Sequence, residues 1–294
     1  MSRYSAEDLL KEPATLDDIA TALKNKNAYG SNESLSILHQ LVKGEIKYKS
    51  QPMGLEQFNF GPLDLDEVRA AQLDAIDFIT NKCFTMPYQH TLYRCALKYD
   101  NATIGQTILT AEYAERDGPH LGVTRIVRAT DGRVFATSCI NSMVTQLNQE
   151  GMCVQMQIPQ FELEYWNRLL PNQKETEWQC TEGALISMGL TMILNTKGVL
   201  KERSAPPAKP NKTRAAQGRP LLPYTTRVYT AVYNQAVQSG VPGTHASPRP
   251  HIRRAHVRHY PKTERHEAYV LPIAAMLVNW DGKPLQPRQE YIVK

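Results

Sequence analysis

Cysteine is scarce in this chain and follows no pattern. The five residues (Cys83, Cys95, Cys139, Cys153 and Cys180) are odd in number and include no Cys-x-x-Cys pair. A disulfide framework and a thiolate zinc site are therefore not expected, which leaves thiols of a core. Long apolar runs are lacking too. The longest uncharged one, Gly183 to Thr196, has 14 residues, fewer than the ~20 that span a bilayer, so no membrane partner is expected. The first eight residues, MSRYSAED, are polar and acidic, unlike a secretory leader, and predict an intracellular protein. Also missing are a glycine-rich phosphate loop, a Ser-His-Asp order, a paired-carboxylate motif and an internal repeat. No cofactor is implied. Asp131-Gly132 and Asp281-Gly282 read as turns.

Charge is present, and it is divided. The net charge of the 294 residues is +5, yet residues 201–267 hold thirteen Lys/Arg against three Glu. The first 200 residues hold eighteen Lys/Arg against twenty-four Asp/Glu. An acidic amino-terminal part and a basic carboxy-terminal part suit nucleic acid at one end, or attraction between the two parts.

The apolar pattern predicts an α+β fold with N-terminal helices, a central antiparallel meander with helices, and a C-terminal basic antiparallel β region. Residues 1–82 read as helical: Ser5–Lys11, a helix opened by Thr15 with Ile19, Ala22 and Leu23, and one with Leu35, Leu38, Leu41 and Val42. In a further helix Asp64-Leu65-Asp66-Glu67 resembles a capping box before Val68, Leu73, Ile76 and Ile79. Period-two stretches at Thr91–Tyr99, Thr107–Ala114, Val123–Ala129 and Val134–Ile140 predict four strands. Leu147–Met156 is ambiguous. Glu162–Leu170 and Thr181–Leu194 read as helices, the second buried. The run Ser204–Pro210 reads as a linker that is neither helix nor central strand. Tyr224–Tyr233 alternates as a strand, and Tyr291–Val293 is a possible edge. These shifts divide the chain into an acidic body (1–200), a Pro/Lys/Arg-rich connection (201–223) and a basic β-rich region (224–294) on or beside the body.

The densest chemistry lies in that last region. Five of the eight histidines (His245, His251, His256, His259, His266) fall within 22 residues, interleaved with Arg249, Arg253, Arg254, Arg258 and Arg265. Pro250 and Pro261 punctuate a strand whose one face carries His251, Arg253, Ala255, Val257 and His259. The other carries Ile252, Arg254, His256, Arg258 and Tyr260, and His266–Val278 would pair back against it. Cations side by side on one face need acidic partners or an anion, because each loses hydration when buried. The plainer alternative is an edge strand whose charges prevent sheet-to-sheet association.

A specific run, Pro250-His251-x-Arg253-Arg254-x-His256-x-Arg258, follows Asn211-Lys212-x-Arg214, Gly218-x-Pro220-Leu221 and Tyr224, and precedes Tyr269-Val270. Met86-Pro87-Tyr88, and Trp166 before Leu169-Leu170-Pro171, add a looser similarity. In these residues the chain resembles a family of uncharacterised proteins encoded by tailed bacteriophages and prophages. The resemblance implies a phage origin and an intracellular role during infection, and no chemistry. Ala255 stands where that family favours glycine, which disfavours φ > 0 there.

The function expected first is nucleic-acid binding. Lys212, Arg214, Arg219, Arg249, Arg253, Arg254 and Arg258 would contact phosphates of DNA or RNA, the planar guanidinium pairing with two oxygens at once. Tyr260, Tyr224 or His256 would stack on bases. The second expectation is a metal-independent nuclease or phosphodiesterase. In it His256, with His251, His259, His90 or His120, acts as base and acid, and Arg254 or Arg258 stabilises the phosphorane. Metal is not expected, because the His251-x4-His256-x2-His259 spacing matches no zinc pattern and the arginines repel a dication. A host-protein inhibitor or virion-assembly protein docking on an acidic partner is the remaining alternative, separable from nucleic acid by salt dependence.

Overall fold

The computed structural model describes residues 11–48, 51–52, 55–81, 84–99, 102–115, 118–148, 151–170, 172–195, 200–205, 208–217, 225–229, 251–253, 255–263 and 266–278. The expected helix before Lys11 and the edge at Tyr291–Val293 lie outside them. Thr15 opens helix α1 (Leu16–Lys24) with a capping box: its hydroxyl accepts from the Asp18 amide, and the Asp18 carboxylate accepts from the Thr15 amide. A bridge, β1 (Ala28–Tyr29), leads to helix α2 (Asn32–Lys43), which ends on Gly44 at φ +67°. Both helices bury the stripes that periodicity marked, Ile19 and Ala22 in one, Leu38 and Leu41 in the other.

The expectation of helix throughout 1–82 is corrected after that. The short strands β2 (Lys47–Tyr48) and β3 (Gln51–Pro52) pair with each other, and β4 (Glu56–Asp64) joins the main sheet. Gly61 and Pro62 disguise β4 as a breaker. In fact Gly61, at φ +66°, sits at a register shift, with its amide held by Asn59 Oδ1 at 3.0 Å, and the strand resumes beyond it. Asp64 then starts helix α3 (Leu65–Thr80) by accepting from the Asp66 amide. Val68, Ala75 and Ile79 face the core, whereas Leu73 is 63% exposed. Five residues beyond Val68 is about 140° round the helix, off the buried stripe.

The meander follows as read: β5 (His90–Lys98), β6 (Thr103–Glu115), β7 (Gly118–Arg128) and β8 (Val134–Asn148), each antiparallel to the next. The ambiguous stretch is β9 (Gly151–Gln157), a strand on β8. Helices α4 (Gln160–Trp166) and α5 (Gln173–Asn195) come next. Beyond α5, β10 (Leu200–Ser204) and β11 (Thr225–Tyr229) extend the sheet, giving the order β1-β8-β7-β6-β5-β4-β11-β10 with β9 beside β8. β4 runs parallel to both β5 and β11. Between β10 and β11 lies helix α6 (Ala208–Ala216), where a linker was expected. Pro210 is tolerated because it sits in the first turn, whose amides have no intrahelical acceptor to lose.

Alternation along the strands feeds two cores. Tyr93, Cys95 and Leu97 of β5 point with Ile108, Val123 and Cys139 toward α3 and α5. Leu92, Leu109, Ile126 and Ala136 point toward α1 and α2. The fold is therefore α+β with a mixed sheet covered on both faces. Among the described residues no helix is long and apolar enough to cross a membrane. Cys95, Cys139 and Cys180 are free and buried, and burial pushes their thiols up to about 12.

Candidate binding surface

The His/Arg stretch is not one strand but two. β12 (His251–Arg253) pairs with β15 (Met276–Val278), and β13 (His256–Tyr260) pairs with β14 (Tyr269–Ile273). The return strand pairs back as the sequence suggested. The interruption falls between the rungs Arg253↔Met276 and His256↔Ile273, where Ala255 and Ala275 stand. Ala255 and Ala275 are 6% and 8% exposed and belong to the core beside α3 and α5. The ribbon thus breaks where it touches the body. A small residue fits there, and Ala255 has no positive φ.

Register assigns the faces of β13–β14. Residues directly opposite in an antiparallel pair share a face. Arg258↔Leu271 and Tyr260↔Tyr269 therefore lie together, with His256↔Ile273 next to them. Val257 and His259 take the opposite face with Pro272 and Val270, and Val257 packs on the core. The Tyr260 and Tyr269 rings stack at 4.7 Å and 8°, Arg258 lies over the Tyr260 ring at 4.9 Å, and His266 stands edge-on to Tyr269 at 5.2 Å. Arg258 and His259 are exposed, as are Tyr269 (45%), Val270 and Leu271. Lys262 is bridged to Glu267 at 2.6 Å. Among the described residues Arg258 has no carboxylate partner.

The other expected residues are dispersed. Lys212 and Arg214 ride on α6, none of whose residues is buried. His251 and Arg253 lie on β12, while Arg219, Arg249 and Arg254 lie outside the described residues. His256 and His259 fall on opposite faces of β13, so that strand presents them as separate groups. His90 is buried within β5, where desolvation lowers its pKa, and His120 is half-buried on β7. No cluster of three metal-ligating side chains occurs among the described residues. The family resemblance had included Tyr269 and Val270 only as a hydrophobic strand. Their place on the surface follows from the register across the Pro261–His266 turn, which spacing within one strand does not show.

Two buried polar groups elsewhere are internally satisfied. Arg125 meets Glu182 at 2.6 Å and also donates to Gln106 (2.7 Å) and Gln179 (2.8 Å), while Tyr99 donates to Glu182. On the other side of the sheet Glu162 of α4 accepts from Ser31 and Ser34 at the start of α2 and from the Trp166 indole of its own helix. These carboxylates, each set among hydrogen-bonding donors, join elements together.

Comparison with known proteins bears on the same region as the ribbon. Residues 180–272 match the model of the anti-CRISPR type V subtype A2 family, described as AcrVA2-like. That span runs from the buried part of α5 through β10, α6, β11, β12 and β13 to β14. A crystal structure of AcrVA2 aligns over 83% of this chain and 76% of its own, at 15% identity and a TM-score of 0.28. That score is too low to establish a shared fold. No curated protein matches.

Proposed function

We propose that this is a phage-encoded protein that acts inside the infected cell against a type V CRISPR defence, and that it does so by binding nucleic acid through its C-terminal ribbon. The similarity over residues 180–272 supports the first half. One observation carries the second: Arg258 is exposed beside a stacked tyrosine pair and has no carboxylate partner among the described residues. A guanidinium held over an aromatic ring is oriented but not neutralised, which suits a phosphate. Lys212 and Arg214 on α6, none of whose residues is buried, add positive charge to the same part of the sequence.

A second reading, docking on an acidic protein, is favoured by the exposed Tyr269, Val270 and Leu271, because tyrosine and arginine together are common anchors of protein interfaces. The test has two arms. A type V effector with a targeting guide clears a plasmid from cells, and co-expression of this protein should restore the plasmid. The purified protein should retain labelled DNA or RNA at low salt. Restoration without retention would replace nucleic acid by the protein partner, and retention without restoration would remove the link to CRISPR. Product formation that survives EDTA and is lost in His256→Ala would turn the reading to a nuclease.

A further inference from the structure

We infer that the partner of the β13–β14 face is an unpaired nucleic-acid strand rather than a duplex, a deepening that rests on the nucleic-acid reading above. The face is composed for both halves of a nucleotide. Arg258 is one rung from Tyr260 on β13, ~7 Å along the strand. Across the ladder stand Leu271 and Tyr269, both more than 40% exposed. The shared face therefore presents a cation at one corner and an aromatic and aliphatic area at the others.

A duplex has its base faces buried in its own stack and offers this area only sugar and phosphate. Tyr269 and Leu271 would then stay wet, and the affinity would rest on cations alone. The described part of the hairpin has few of these. Lys262 is already bridged to Glu267, and Arg258 is the one arginine on the β13–β14 hairpin among the described residues. One or two phosphate contacts give a shallow salt dependence, with a slope of about −0.7 to −0.9 per phosphate. Such a contact holds little at physiological ionic strength. An unpaired strand presents base faces beside each phosphate, so stacking on Tyr269 adds to the pairing at Arg258. Stacking is indifferent to base identity, so little sequence preference follows.

The experiment uses the full chain and two fluorescent probes: an oligothymidylate of about 20 nucleotides, longer than one such module's footprint, and the same strand annealed to oligoadenylate. Anisotropy titrations should show the single strand bound at least about tenfold tighter than the duplex, with a shallow salt slope. Tyr269→Ala should lose roughly tenfold for the single strand, and Tyr269→Phe, which keeps the ring, should bind as the native protein does. Equal or tighter binding of the duplex overturns the inference and leaves the phosphate reading standing. Unchanged binding by Tyr269→Ala with native thermal stability also overturns it. Failure to bind either probe removes the nucleic-acid reading itself. Competition by polyglutamate as effective as by the oligothymidylate replaces stacking with plain anion attraction.

Discussion

Between α5 and the sheet, the Arg125 and Glu182 side chains meet at 2.6 Å, only 5% and 7% exposed. Glu182→Gln leaves a guanidinium buried without its counter-charge, and breaking a pair in this way costs about 3–5 kcal/mol. Urea unfolding should show that loss, whereas Arg125→Met with Glu182→Met should lose less than Glu182→Gln alone. His90 supplies a pH test. Desolvation depresses its folded pKa, so below the ordinary value of about 6.5 the unfolded chain takes up a proton that the folded chain resists. Stability should fall as pH drops through about 6.5, and His90→Gln should flatten that part of the profile in urea midpoints taken at about pH 7 and 5.5. A profile unchanged by the substitution would assign the loss to other groups. Neither feature was legible from sequence: Arg125 and Glu182 are 57 positions apart, and nothing local marks a charged residue as half of a buried pair.

At the scale of elements, α5 lies close against α3 because Gly189 faces Val68. A Cβ there would stand 2.6 Å from the Val68 carbonyl oxygen and 2.9 Å from its Cγ1. Gly189→Ala should therefore lower the melting temperature, at a cost of about 1–3 kcal/mol from overpacking. An unchanged melting temperature would mean that the helices separate freely. Elements with strong local signals were legible: the capped stripes of α1 and α2, the period-two strands of the meander, and the hairpin returning to the His/Arg stretch. Those governed by context were not. β4 is interrupted by Gly61 and Pro62 yet held by neighbours on both sides, and α6 carries Pro210 in its first turn, where a proline does no harm. The single His/Arg strand became two because Ala255 and Ala275 dock on the core, a tertiary contact that alternation cannot contain. As a result His256, Arg258 and Tyr260 keep their common face, while their continuity with β12 does not follow from parity alone.

For the whole molecule, charge and architecture divide differently. Basic residues concentrate between 201 and 267, yet β10 and β11 from that region are strands of the same sheet as the acidic amino-terminal part. β13 and β14, from the same region, form a separate pair on which Arg258, Tyr269 and Leu271 are exposed. One carboxylate of the amino-terminal part reaches the basic region, Glu56 bridging Arg203 at 2.9 Å, while Asp18 pairs with Arg128, also at 2.9 Å. The central claim is that the ribbon face carrying the exposed Arg258 is the contact surface for a phosphate-bearing partner. Its most direct test is the affinity of the native chain and of Arg254→Ala/Arg258→Ala for a labelled single-stranded oligonucleotide at low salt, with thermal melts alongside. The account predicts at least about a tenfold loss in the double variant with an unchanged melt, whereas a double variant that melts normally and binds as tightly as the native chain would contradict it.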